Sequence, residues 1–331
     1  MLVMPGVYAG NVMLKSGVAL IGSAGAGATT VDAGGASVCI EGHNVTESIV
    51  QGLRLTGVTH SAYSYTGAAG LEASGDLEVR DCVIEHNYAV GGGIHGSGDL
   101  RVFGTRFSSN AGGTDAVDAG AIQWEEGSAF IQGCVFEQHS DGLIRAGTHE
   151  FTFVDNTVRD NGLASFGFRA FFVGPSSATV KGNLFVNNAV SVEDWSSDPQ
   201  LVAEFRGNTC IRSPAVVGCE QGGTIENNLF TGSSQGLKIW GSHSRLDIRC
   251  NNSWGNDVNW IGFPDPTGTD GNISAPPLLC DWMGGNFALS ENSPCLPENN
   301  SCGVQMGVHG VGCGPVSIQP ESWARVKARY R

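Results

Sequence analysis

Successive segments of this chain lie over one another at intervals of 20 to 29 residues, with a large apolar side chain two positions after a small or amide residue in most of them. The first column reads Leu53, Cys82, Thr105, Cys134, Asn156, Asn183, Asn208, Asn228 and Asn252. Two positions later stand Leu55, Ile84, Phe107, Phe136, Val158, Phe185, Cys210, Phe230 and Trp254. A period in this range describes units that cannot bury their apolar face alone and must stack on their neighbours. The chain is therefore expected to be a solenoid. At 331 residues it would ordinarily suggest two domains, but a stack grows by adding coils, so one continuous body is expected.

Between the columns run short alternating segments such as Leu100-Arg101-Val102-Phe103 and Phe151-Thr152-Phe153-Val154. Alternation with β-branched and aromatic content reads as strand, and no convincing helical period occurs before residue 320. Each coil is then three short strands joined by turns, and residues in one column sit over one another at ~4.8 Å per coil. The apolar column predicts an inward stack. The run Asn156, Asn183, Asn208, Asn228 and Asn252 predicts an amide ladder at a bend, which holds register because a slipped amide leaves a buried donor unpaired at about 1–3 kcal/mol.

Glycine, at 49 residues, is about twice as frequent as usual, while 41% hydrophobic residues suffice for a long core, which excludes a collagen-like or disordered chain. A net charge of -14 with 15% charged residues argues against nucleic acid or an anionic membrane as partner. No run approaches 18 apolar residues, so no transmembrane helix is expected. Ten cysteines without a CxxC pair point to oxidising surroundings rather than zinc. Cys280, Cys295, Cys302 and Cys313 crowd the last irregular stretch and are expected to form two disulfides of open pairing. The chain opens directly on a strand end and turn, so a secreted or cell-surface protein whose signal peptide lies upstream is expected.

Asparagine ladders, short parallel strands and coils of this length resemble the right-handed parallel β-helix family, the fold of pectate lyases and many bacterial surface proteins. Pro5-Gly6-Val7-Tyr8, Leu20-Ile21-Gly22-Ser23 and Thr30-Val31-Asp32 are similar to the first coils of such proteins. Pro277-Leu278-Leu279-Cys280, Asn286-Phe287-Ala288-Leu289 and Ser293-Pro294-Cys295 are similar to a segment that closes them. The resemblance implies an all-β right-handed solenoid of about 9–11 coils over residues 1–275. A cysteine-rich irregular segment, 276–315, would pack on it, and residues 316–331 would form a short basic helix or tail. The fold alone implies no activity.

Outward residues also stack, so a site must be assembled from adjacent coils. Aligning Leu71, Ile94, Ile122 and Ile144 as inward residues places Glu72, His95, Gln123 and Arg145 in one outward column. The longest coils, at 29 residues, include one whose loop holds Asp115 and Asp118 and leads into Gln123-Trp124-Glu125-Glu126; His139 and Asp141 follow. This is the densest titratable group in the chain. One expectation is a calcium-dependent uronate polysaccharide lyase, with Asp115, Asp118 and Glu126 as Ca2+ ligands, Arg145 or His139 as the base, and His95 and Gln123 on the substrate. Arginine serves as a base only where a neighbouring cation lowers its pKa.

Hydrolysis by paired carboxylates is less favoured, because Glu125 and Glu126 face opposite ways on a strand and no polygalacturonase or pectin methylesterase signature is present. Sugar stacking on exposed aromatics offers a binding role without catalysis, with Trp195, Trp240, Tyr63 and Tyr65 at loop or outward positions. Gly91-Gly92-Gly93 lacks the lysine and helix of a phosphate loop and reads as a tight turn. The expected partner is an extracellular polysaccharide, an acidic glycan being one option, and the alternatives are a non-catalytic adhesin or a structural surface protein, as a monomer or in end-to-end association.

Overall fold

A computed structural model describes residues 1–59, 69–89, 91–112, 119–140, 142–161, 171–173, 177–193, 201–218, 221–241 and 245–315. Asp115, Asp118, Asp141, Trp195, Tyr63, Tyr65 and the tail 316–331 lie outside them. The described chain is a parallel β-solenoid. One wall is an 11-stranded sheet that takes one short strand from each coil, and a bridge from Asn252 to Ile273 begins a further turn. An 18-stranded sheet supplies the remaining walls. Among the described residues no helix is long and apolar enough to cross a membrane.

The apolar column is realised as read from Leu55 to Phe230. Leu55 pairs with Ile84, Ile84 with Phe107, Phe107 with Phe136, and so on through Val158, Phe185 and Cys210 to Phe230. All are buried, and Phe107 stacks on Phe136 with ring centroids 4.8 Å apart. Beyond Phe153, rings from two walls alternate through Phe185, Phe205 and Phe230 at 6.2–6.5 Å. Burying one such side chain stabilises by roughly 1.5–3 kcal/mol.

The amide ladder also forms, with one correction. Asn156, Asn183, Asn208 and Asn228 each present Oδ1 to the backbone N–H of the preceding rung and Nδ2 to the next rung. The next rung is Asn251, not Asn252: its Oδ1 accepts from Asn228 N at 3.0 Å, and Asn272 follows. Asn252 pairs instead with Leu229 and donates to Ala275 O at 2.8 Å. Ser253 accordingly stands opposite Phe230, and Trp254, opposite Thr231, is not in the inward stack.

A second ladder runs five residues after the first. Asn87, Asn110, His139, Asn161, Asn188 and Ser213 occupy it, with Oδ1 of Asn110, Asn161 and Asn188 accepting from the backbone of Asn87, His139 and Asn161. Two ladders clamp both ends of each three-residue strand. The coils therefore cannot slide without breaking both.

In the earlier coils single strands turn a corner between walls: Ala119–Gln132 pairs first with Gly142–Gly147 and then with Glu150–Val154. Gly75, Gly98 and Gly127 line that corner at φ of 100°, 106° and 66°. A Cβ on Gly98 would stand 2.5 Å from the Gly75 carbonyl oxygen, so only glycine permits this stacking.

Residues 279–313 form a small sheet of Leu279–Asp281, Asn286–Ser290 and Val311–Cys313. It packs Leu289, Cys295, Leu296 and Met306 against Leu229 on the outer side of the 11-stranded wall. The disulfides are Cys250–Cys302 and Cys280–Cys313. Two bridges form in this region, but not wholly among the four cysteines expected to pair: Cys295 takes no part, and Cys250 supplies the fourth thiol. Cys295 is fully buried and accepts from Asn252 Nδ2, while Cys302 crosses to the ladder turn at Cys250.

Candidate functional site

The outward column predicted from Leu71, Ile94, Ile122 and Ile144 is present in that register. Glu72 pairs with His95, His95 with Gln123 and Gln123 with Arg145. The column extends backwards to Glu41, because Ile40 pairs with Leu71 and Glu41 with Glu72. Glu41 was missed by sequence reasoning, although its neighbour Ile40 continues the inward isoleucine and leucine column and would have disclosed it. Five functional groups thus stand on consecutive coils at ~4.8 Å spacing.

Their environments differ. Glu41 accepts from Asn11 Nδ2 at 3.0 Å and contacts His43 at 2.6 Å, and the Asn11 bond above all, then His43, lowers its pKa. Glu72 is raised above the ordinary carboxylate value, first by burial and then by the charge of Glu41 one coil away. His95 is lowered, chiefly by burial and further by Arg145, against an opposing pull from Glu125. The burial has a visible cause, since the backbone of Gly91 lies against the His95 side chain so closely that a Cβ there would collide with it. The glycine run is the tight turn anticipated, and it walls in the imidazole.

Two polar atoms at the centre of the column are uncommitted. His95 Nδ1 and Gln123 Oε1 are buried with no hydrogen-bond partner among the described residues, and Gln123 as a whole is only 7% exposed. Buried polar groups are nearly always paired, and leaving one unpaired costs about 1–3 kcal/mol. Beside them Arg145 is partly exposed, its Nε 3.8 Å from Glu125. That contact is long and exposed, so it contributes at most about 1 kcal/mol and leaves the guanidinium free to take another anion. Glu125 lies one outward position along the strand from Gln123, where the next coil offers only Gly147; a Cβ at Gly147 would be 2.5 Å from its Oε2.

The other sequence candidates separate from this group. His139 does not face solvent. It takes the place of an asparagine in the second ladder, donating through Nδ1 to Asn110 O at 3.0 Å, and burial pushes its pKa down to about 4. As a base for an external substrate it is out of reach. Glu126 is exposed at the corner of the strand Ala119–Gln132, at φ 61°. Its expected Ca2+ co-ligands Asp115 and Asp118 lie outside the described residues, and among those described no three metal-binding side chains converge. The described residues by themselves do not build a calcium site. Trp240 is 58% exposed, with Lys238 Nζ 4.9 Å from its ring centroid.

No curated protein matches the chain. Among solved structures it is similar to the A-module of mannuronan C-5 epimerase AlgE6 from Azotobacter vinelandii, at 14% identity and a TM-score of 0.39, covering 83% of this chain and 90% of that one. Residues 16–210 and 119–253 match the family described as "Right handed beta helix region". With its sequence match spanning well over half the chain and its coils stacked as parallel walls, this protein belongs to the right-handed β-helix family.

Proposed function

We propose that the outward column from Glu41 to Arg145 binds an acidic extracellular polysaccharide. The observation that carries this reading is the pair of buried, unpartnered polar atoms on His95 and Gln123 beside the partly exposed Arg145. Sugar hydroxyls both donate and accept, so a ring placed over these coils would satisfy both atoms once the two side chains turn toward it, a rotamer change common at binding surfaces. A uronate carboxylate would then lie at the guanidinium, whose planar donors suit it. On a chain of net charge -14 a polyanion needs such a local cation.

The finer reading is β-elimination. Arg145 would neutralise the uronate carboxylate and so acidify the C5 proton. His95, held neutral by its surroundings, would accept that proton in place of the inaccessible His139. The C5–H electron pair would form the C4–C5 double bond, the C4–O bond would break, and Glu72 on the adjacent coil, its pKa raised by burial and by Glu41, would be the group placed to deliver a proton to the departing oxygen. Calorimetric titration with oligouronates should show binding that Arg145→Gln weakens at least about tenfold, the loss of one charge-assisted contact of about 1.5–3 kcal/mol. Growth of absorbance from the unsaturated product would establish elimination. Binding without product would leave a binding protein, and equal affinity for a neutral glycan would contradict the acidic assignment.

A further inference from the structure

We infer that Trp240 and Lys238 form a distal subsite for the same acidic polysaccharide, so that the polymer runs along the solenoid axis. This rests on the reading of the Glu41 to Arg145 column given above. Followed beyond Arg145, that column passes through positions 172 and 193, since Arg145 pairs with Phe172 and Phe172 with Glu193. Val192 pairs with Val217, so the next position is Gly218, which in turn pairs with Trp240. Trp240 therefore stands in the same outward row as Arg145, four coils further on, at ~19 Å.

Its surroundings suit a sugar. Ile239 on one side is buried, which turns the indole outward, and the ring is 58% exposed. Gly218 occupies the row position on the preceding coil, so no side chain adjoins Trp240 in the row on that side. Lys238, two residues back along the strand, carries its ammonium 4.9 Å from the ring centroid and makes no ion pair among the described residues. The Lys238 ammonium offers the carboxylate a cation as Arg145 does at the first place, and the indole adds an aromatic face for the pyranose ring. An extended pyranose chain advances by a distance comparable to one coil per residue, so an oligomer of about six residues reaches from Gln123 to Trp240. A chain lying across the coils would touch only one of the two places.

The test is calorimetric titration of the whole chain with short oligouronates, about three residues long, and long ones of about eight residues. The inference predicts tighter binding of the long oligomer. Trp240→Ala should reduce long-chain affinity about tenfold and leave short-chain affinity unchanged, and Lys238→Gln should reduce long-chain affinity in a salt-dependent manner. Because Trp240 is exposed, the variant is expected to fold, and a circular dichroism spectrum matching the parent checks this. Short-chain binding that persists while Trp240→Ala leaves long-chain affinity intact would overturn the distal subsite alone. Failure of the parent protein to bind either length would overturn both readings.

Discussion

Replacing Asn183 with alanine tests the ladder at its middle. The side chain donates through Nδ2 to Phe153 O at 2.9 Å and to Asn208 Oδ1 at 3.0 Å, and its Oδ1 accepts from Asn156 N at 2.8 Å and Asn156 Nδ2 at 3.1 Å. Some partners retain a bond after truncation. Asn208 Oδ1 keeps the Asn183 backbone N–H at 2.9 Å, and Asn156 Nδ2 keeps Ile131 O at 3.0 Å. The Asn156 N–H loses its side-chain acceptor, and Phe153 O loses a donor, in a region where Asn183 is 0% exposed. At about 1–3 kcal/mol for each of the two buried groups left unsatisfied, the expected loss is about 2–6 kcal/mol. Stacked coils need not unfold in one step, so urea and thermal unfolding should be joined by hydrogen exchange at the Asn156 amide. Exchange there should accelerate more than in distant coils. Asn187→Gly provides the control, since glycine keeps the φ of 55° at that position and the Asn187 side chain bonds only surface partners, Asp160 and Arg212, among the described residues; it should change stability by less than about 1 kcal/mol. Equal effects of the two substitutions, or none at Asn183, would refute the ladder as a source of stability.

His139→Asn should preserve the fold, because the neighbouring rungs Asn110 and Asn161 are asparagines; loss of folded protein would show that the ladder does not accept an amide there. The same variant should lose part of the acid sensitivity. His139 titrates near 6.5 when exposed and at about 4 when buried, so its contribution is present above 6.5 and declines as the pH falls to about 4. The difference between parent and variant over that window should be at most about 3 kcal/mol by unfolding titrations, and parallel curves would contradict the burial. Gly98→Ala should destabilise by at least about 2 kcal/mol in chemical unfolding, given its φ of 106° and the carbonyl of Gly75 in the path of a Cβ. Peptide mapping under non-reducing conditions should recover Cys250 linked to Cys302 and Cys280 linked to Cys313, with Cys295 alkylated only after unfolding; a disulfide at Cys295 would overturn the terminal packing.

The columns were legible because a parallel stack converts sequence spacing directly into vertical alignment. Phe107 over Phe136, and His95 beside Gln123, needed only the alternation of inward and outward residues. The same logic misplaced the last rung where two asparagines adjoin. Asn251 and Asn252 both suit a column, and Trp254 made the wrong one attractive, yet Asn256 lies five residues after Asn251 and marks the second ladder. That second column also explains His139, whose polarity suggested an outward catalytic group when its position is an inward rung. What spacing does not carry is contact from outside the repeat. The Gly91 backbone against His95 and the crossing of Cys302 to Cys250 depend on turns and terminal segments that obey no period.

The central claim is that the Glu41 to Arg145 column is where an acidic glycan binds. A crystal soaked with an oligouronate tests it most directly. The account predicts a sugar carboxylate hydrogen-bonded to Arg145, with the adjoining ring satisfying Gln123 Oε1 and His95 Nδ1. Density for the oligomer on the 11-stranded wall, with this column bare, would contradict it.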